Sequence, residues 1–103
     1  EHPRLSFPLA GLAEVALARE RPRDAAPLAE RALRLHEKAT GEAAELAGDR
    51  FLVARSLGPS LSVRARTLAE QAREGFAAAG PVKSKELAKA EAWLARHPAR
   101  PRP

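Results

Sequence analysis

The sequence predicts an all-α fold, a tandem helix-hairpin repeat (α-solenoid) of five antiparallel helices. Small residues recur three or four positions apart, as at Ala25, Ala29 and Ala32. This spacing places them on one helix face, where they let a second helix approach closely. The string LAEQA at residues 68–72 repeats LAERA at residues 28–32 after about forty residues. A repeat of this kind is typical of stacked helix hairpins, in which each hairpin buries its apolar face against the next.

Residues 1–41 form the first predicted hairpin, with helices over about 3–19 and 23–39. Pro8 is expected to remove one backbone hydrogen bond and to bend the opening turns of the first helix. Pro27 is expected in the first turn of the second helix, where proline is tolerated. The apolar bulk beside the alanine contacts is expected from Leu9, Leu12, Leu28 and Leu33.

Residues 42–80 form the second predicted hairpin, with one helix over about 42–57 and another from about Ser60 or Ser62 to Ala79. The glycine–proline pairs at Gly58-Pro59 and Gly80-Pro81 end these helices, because proline cannot continue a helix and glycine adopts the conformations that close one. No strand pattern competes with the helical periodicity along the chain.

Residues 81–97 are predicted to form a C-terminal capping helix, and residues 98–103 a disordered tail. The inward stripe of the capping helix is Leu87, Ala90 and Leu94, spaced three and four residues apart. Its other faces carry charged side chains, as the last helix of a stacked array requires.

The string AAPLAERAL at residues 25–33 and the pair His2-Pro3 resemble the tetratricopeptide repeat, in its longer kinesin-light-chain-like form. The second copy lacks the His-Pro pair and has Arg66-Thr67 in place of Ala26-Pro27. The helices are rich in alanine, arginine and proline and the array ends in AWLARHP at residues 92–98, features that are also similar to the C-terminal ends of arrays attached to bacterial serine/threonine kinases or regulators. The resemblance implies a non-catalytic protein–protein interaction module, the C-terminal part of a longer array in a bacterial signalling or regulatory protein.

In that family the first helix of each hairpin lines a concave groove that holds the partner. Carried over residue by residue, the resemblance places Phe7, Ala10 and Glu14 in the groove from the first copy, and Phe51 and Arg55 from the second. The family's clamp for a C-terminal carboxylate uses lysine, asparagine and arginine side chains. Because alanine and glutamate stand at those places here, we expect a different ligand.

Two of the aromatic residues have two interpretations each. Trp93, the only tryptophan, is expected to pack against the fourth helix near Phe76; the alternative is an exposed anchor for a partner. Phe51 is either a groove anchor beside Arg55 or simply a core residue. Replacing Phe51 by alanine separates these two interpretations. If Phe51 is a core residue, the small, alanine-rich core loses much of its stability, whereas loss of a groove anchor leaves stability unchanged.

The residues give little support for catalysis or for a cofactor. The chain has no cysteine, and its three histidines are scattered near helix ends and loops. Neither a glycine-rich phosphate loop nor the context of a nucleophilic serine occurs. We therefore expect no enzyme activity, no metal and no cofactor.

The formal net charge of +5 raises the question whether the chain binds nucleic acid. Acidic residues are interleaved with the basic ones and stacking aromatics are few, which favours a protein or peptide partner over nucleic acid. The net positive charge gives a general preference for acidic partners. No apolar run of about 18 residues suggests a membrane span, and we expect a cytoplasmic location. The alternative function is a structural end-cap or scaffold segment that self-associates through the N-terminal edge without a separate ligand.

Overall fold

In a computed structural model that describes residues 2–58 and 63–98, the chain forms five α-helices and two short 3-10 turns, without a strand in those ranges. The helices α1 to α5 are Ser6–Ala18, Pro22–Ala39, Ala43–Leu57, Val63–Ala79 and Ser84–Arg96. The 3-10 turns are Pro3–Leu5 and Pro81–Lys83. The predicted all-α class is confirmed. The predicted tail at residues 99–103 and the proposed helix starts at Ser60 and Ser62 lie outside the described ranges.

Each helix packs mainly against the next one along the chain. Contacts join α1 to α2, α2 to α3, α3 to α4 and α4 to α5, and a smaller set joins α1 to α3. This sequential packing leaves the outer faces of α1 and α5 without a neighbouring helix among the described residues.

The prolines of the first two helices occupy different positions along the helix from those expected. Because a 3-10 turn occupies Pro3–Leu5, α1 begins only at Ser6. Pro8 is therefore in the first turn, where a backbone N–H has no helical partner to lose. In contrast, α2 begins at Pro22, so that Pro27 lies in the helix interior rather than in the first turn. One hydrogen bond of α2 is missing there as a result.

The last helix is shorter than predicted and is capped by a side chain from α4. Gly80 has a positive φ of 83°, and Pro81–Lys83 form a 3-10 turn, so α5 begins at Ser84 rather than near Val82. At the other end, the Arg66 guanidinium donates hydrogen bonds to the carbonyls of Leu94 (3.3 Å) and His97 (2.5 Å). These bonds tie the C-terminal end of α5 to α4, where the Leu94 carbonyl also accepts a hydrogen bond from the His97 N–H.

The core is built largely from alanine. Ten alanines have almost no solvent exposure: Ala13, Ala25, Ala29, Ala32, Ala47, Ala54, Ala65, Ala69, Ala72 and Ala90. Leu9 and Leu33 are buried beside them as expected, whereas Leu12 is 56% exposed. The expectation for Leu12 was wrong, because its side chain lies on an exposed side of α1, away from the side that carries the buried Leu9 and Ala13. In α5, Ala90 and Leu94 are buried and Leu87 is half-buried, which agrees with the predicted inward stripe.

Two helices approach each other closely at Gly75 in α4. A β-carbon added at Gly75 would lie 2.5 Å from the carbonyl oxygen of Ala43 and 2.8 Å from the β-carbon of Ala47, both on α3. Both distances are far below normal contact, and the oxygen belongs to a backbone that cannot rotate away. Gly75 therefore sets how closely α3 and α4 pack.

We predict that Gly75→Ala lowers the free energy of unfolding by roughly 1–3 kcal/mol, because α3 and α4 must separate to accept the methyl group. In an open helix position the same substitution stabilises by about 0.5–1 kcal/mol, since alanine is the better helix former. Gly11 in α1 is such a position, with no atom within 4 Å of an added β-carbon. Chemical denaturation of Gly75→Ala and Gly11→Ala measures both. Stabilisation by both substitutions would contradict the close approach.

Candidate functional site

A groove of about 940 Å³ crosses the face of the molecule formed by α1, α3 and α5. Its floor is the surface of α3 from Ala44 through Gly48 and Phe51 to Arg55, continued by the buried rings of Phe76 and Trp93. One wall comes from α1, and the other comes from α5 with the preceding 3-10 turn. The volume lies at the upper end of the range for small-molecule pockets. We call this feature the groove.

Two aromatic side chains of the floor are also core residues. Phe51 and Phe76 meet edge to face, with ring centroids 6.3 Å apart and an angle of 88° between the planes. Both are buried, Phe51 with 7% of its surface exposed. Edge-to-face pairs of this kind stabilise beyond the area they bury. The groove floor and the hydrophobic core therefore share these residues.

Trp93 is buried in the same core cluster as Phe76, and one side of it lines the groove. Its indole stacks on the His97 ring at a centroid distance of 4.1 Å. The His97 Nδ1 lies 2.8 Å from the Trp93 carbonyl oxygen, which requires a proton on that nitrogen. This geometry agrees with the expected packing role of Trp93.

Arg55 joins the floor to the α1 wall. Its guanidinium carbon lies 5.2 Å from the centroid of the Phe51 ring, within the range of a cation–π contact. Its NH2 group donates a hydrogen bond to the Glu14 carboxylate, and the two form an ion pair across α1 and α3. The Arg55 Nε is buried and has no partner in the described structure. Arg55 thus has its charge neutralised within the protein.

A second pair of polar side chains joins α2 to α3 at the rim of the groove. The Nδ1 of His36 lies 2.9 Å from an Asp49 carboxylate oxygen, and both side chains are largely buried. The His36 ring also lies 6.0 Å from the Phe7 ring of α1. Glu42, Glu45 and Asp49 lie three and four residues apart, a spacing that by itself predicts a solvated acidic face. Asp49 departs from that prediction, because its carboxylate contacts His36. A partner on α2 explains the difference.

The structure brings together four of the five side chains that the family resemblance placed in a groove. Phe7, Glu14, Phe51 and Arg55 all line it, although Phe51 does so as a buried residue and Phe7 projects from the rim with 72% exposure. Ala10 instead is half-buried and packs against the core clusters. Their role in binding a partner stays a prediction.

Sequence reasoning missed the contribution of α5 to the groove. Lys89, Trp93 and Arg96 line it from one face of α5, at spacings of four and three residues, and Lys83 lines it from the 3-10 turn. The spacing was visible in the sequence. The position of α5 relative to α3 is what the spacing does not contain, since it depends on contacts between helices distant in the chain.

The described ranges contain neither a metal site nor a membrane-spanning helix. No group of three or more histidine, aspartate or glutamate side chains in them could hold a metal ion. None of the described helices is both long and apolar enough to cross a membrane. On the surface, the hydrogen bond from Arg64 to the Glu30 carboxylate raises the pKa of Arg64. Since an arginine is already protonated at physiological pH, this pair introduces no pH dependence there.

Comparisons with protein-family models, with curated proteins and with solved structures found no match for the chain. The assignment to a function therefore depends on the geometry of the groove and on the sequence pattern.

We predict that Phe51→Ala lowers the free energy of unfolding by about 3–5 kcal/mol, because it removes a buried ring and its edge-to-face partner contact. Phe7→Ala is the matched control. It removes the same side chain from the same groove, but at an exposed site, and should change stability by less than about 0.5 kcal/mol. Thermal and chemical denaturation measure both. Equal, small effects would show that Phe51 is a surface anchor.

Proposed function

We propose that the chain is a non-catalytic protein–protein interaction module built like a tetratricopeptide-repeat α-solenoid, with antiparallel hairpins stacked in sequence. In this proposal it is the C-terminal part of a longer array in a cytoplasmic bacterial signalling or regulatory protein. The sequential packing of the helices and the repeated alanine pattern support the architecture. The groove is the single observation that carries the function.

Three properties make the groove suited to a peptide segment rather than to a reaction. It is long and open, since lining residues come from α1, α3 and α5 and from the edges of α2 and α4. Its floor consists of aromatic side chains and small residues, which together provide apolar contact area. Its polar side chains at Glu14, Arg55 and His36 are held by partners within the protein, and do not converge on one point as an acid, a base and a nucleophile must.

The same geometry argues against nucleic acid as the partner. Among the aromatic side chains that line the groove, Phe7 is exposed, whereas Phe51, Phe76 and Trp93 are buried. A single exposed ring at the rim does not provide the series of ring faces on which successive bases stack. The cations of the groove are interrupted by Glu14, Glu45 and Glu86, whereas a phosphate backbone requires a continuous basic track. We likewise propose no membrane-binding role for this surface.

We predict that filling the floor blocks peptide binding without unfolding the protein. An added β-carbon at Gly48 has no atom within 4 Å, so Gly48→Leu extends into the open groove rather than into the core. Leucine is also the better helix former, so stability should be equal or higher. Peptides selected from a displayed random library on the wild-type chain should lose at least about tenfold in affinity for Gly48→Leu, which is about 1.4 kcal/mol.

The control is Gly11→Leu, which makes the same substitution at an open helix position that is not among the groove-lining residues. It should bind the selected peptides as the wild type does, in titrations followed by fluorescence anisotropy. A selection that yields only peptides binding all three proteins equally, or no peptides at all, would contradict the groove as a recognition surface.

A second candidate function, self-association as a structural end-piece, is favoured by the outer face of α1. Leu5, Leu12 and Val15 share this face and are 42%, 56% and 49% exposed. Glu14 is the only charged residue of α1, and it faces the groove. An uncharged, apolar helix face of this kind is a typical contact surface.

If the α1 face mediates self-association, the protein should form dimers whose population rises with concentration. Analytical ultracentrifugation of the full chain measures the dissociation constant, which should be weak because one helix face is smaller than a standard interface. Leu12→Glu together with Val15→Lys should abolish the dimer without altering net charge, and Gly48→Leu should leave it unchanged. Dimers that persist in the double variant would exclude this face.

A further inference from the structure

The groove has one wall that is rich in cations available to a partner. Lys83, Lys89 and Arg96 line it from α5 and the preceding turn, and all three are exposed. The only carboxylate on this wall is the half-buried Glu86. Arg55, the fourth cation of the groove, is already paired with Glu14. The positive charge that a partner meets therefore comes from α5.

The two cations of α5 that line the groove have a defined spacing. Lys89 and Arg96 are seven residues apart, which is two helical turns or roughly 10 Å along the axis. Trp93 and Ala92 lie between them on the groove side. A partner helix aligned with α5 presents side chains at the same interval when they are seven residues apart in its own sequence.

The shape of the floor favours a helix over an extended strand as the occupant. The groove-lining residues Ala44 and Gly48 lie beside Ala43 and Ala47, the pair against which α4 packs at Gly75. A second helix can approach the Ala44–Gly48 side of α3 in the same way, because a β-carbon at Gly48 meets no atom within 4 Å. The floor from Ala44 to Arg55 is about 16 Å long, enough for three turns of helix.

We infer that the groove binds an amphipathic helix of a partner protein, with its apolar face on the α3 floor and two acidic side chains, seven residues apart, against Lys89 and Arg96. This inference rests on the proposed function of the groove. Lys89 and Arg96 act as the specificity-determining residues, and Arg55 positions the floor. Charge complementarity at an interface selects the partner and raises the association rate more than it raises affinity.

The probe is a phage-displayed library of helical peptides on an alanine–leucine scaffold, with the remaining surface positions randomised. Selection uses the full wild-type chain, and binders retained by Gly48→Leu are removed. The enriched peptides should carry aspartate or glutamate at two positions seven residues apart along one edge. Their association rates should fall as the salt concentration rises.

Charge reversals on α5 then test the contacts directly. Lys89→Glu and Arg96→Glu should each weaken a selected peptide about tenfold in fluorescence anisotropy. Lys85→Glu is the matched control, since Lys85 is exposed on the same helix and is not among the groove-lining residues. It makes the same change in net charge and should weaken binding less than about twofold. A peptide with lysine in place of one glutamate should recover affinity for Lys89→Glu.

The outcomes separate this inference from the proposed function. If the selection yields no peptide that depends on Gly48, the groove is not a recognition surface and both fail. If groove-dependent peptides appear without paired acidic residues, or Lys85→Glu weakens them as much as Lys89→Glu, only the acidic-helix inference fails. Equal binding by a peptide with a central proline would overturn the helical form of the occupant, because proline breaks the helix.

Discussion

The close approach of helices through small side chains is the constraint on which the rest of the structure depends. Gly75 and Ala47 let α4 lie against the backbone of α3, and buried alanines play the same part between the other neighbouring helices. A core of this kind gains little from the area of each side chain, since alanine buries few atoms. It gains instead from many dispersion contacts at short range, which are lost when the helices separate.

This packing also explains why the groove exists. The helices are joined in sequence, and α1, α3 and α5 each present one side to the same face of the molecule. The few large side chains, Phe51, Phe76 and Trp93, fill the space beneath that face. They belong to both the core and the floor, so the shape of the floor depends on the stability of the domain. The same side chains therefore stabilise the core and line the groove. A substitution in the floor can change both stability and binding, so each binding measurement needs a stability measurement beside it.

The polar side chains of the groove divide into two groups with different roles. Glu14, Arg55, His36 and Asp49 are engaged with one another between α1, α2 and α3, where they connect helices and fix the rim. The exposed lysines and arginine of α5 are available to a partner. Ion pairs as exposed as Glu14–Arg55 contribute little to stability, about 0–1 kcal/mol. The importance of that pair is therefore its position: it removes one cation from the partner's reach and leaves recognition to α5.

The sequence by itself determined the all-α class, the number of helices and most of their ends, because these follow from local chemistry. Alanine periodicity marks the buried faces, and glycine and proline stop helices within a few residues. Four of the five groove residues also came from the sequence, although through a family resemblance.

Only the tertiary structure decided which side chains are buried against a neighbouring helix and which remain exposed. Leu12 fits the apolar pattern of α1 and is still exposed, because no helix of the described ranges packs against the side of α1 that carries it. Asp49 fits an acidic surface stripe and instead contacts His36, which lies thirteen residues away on α2. Lys89 and Arg96 became part of the groove because α5 packs against α4 and presents one face to that groove. Such contacts join residues distant in the chain, and the local pattern of a helix contains no information about the orientation of its neighbour.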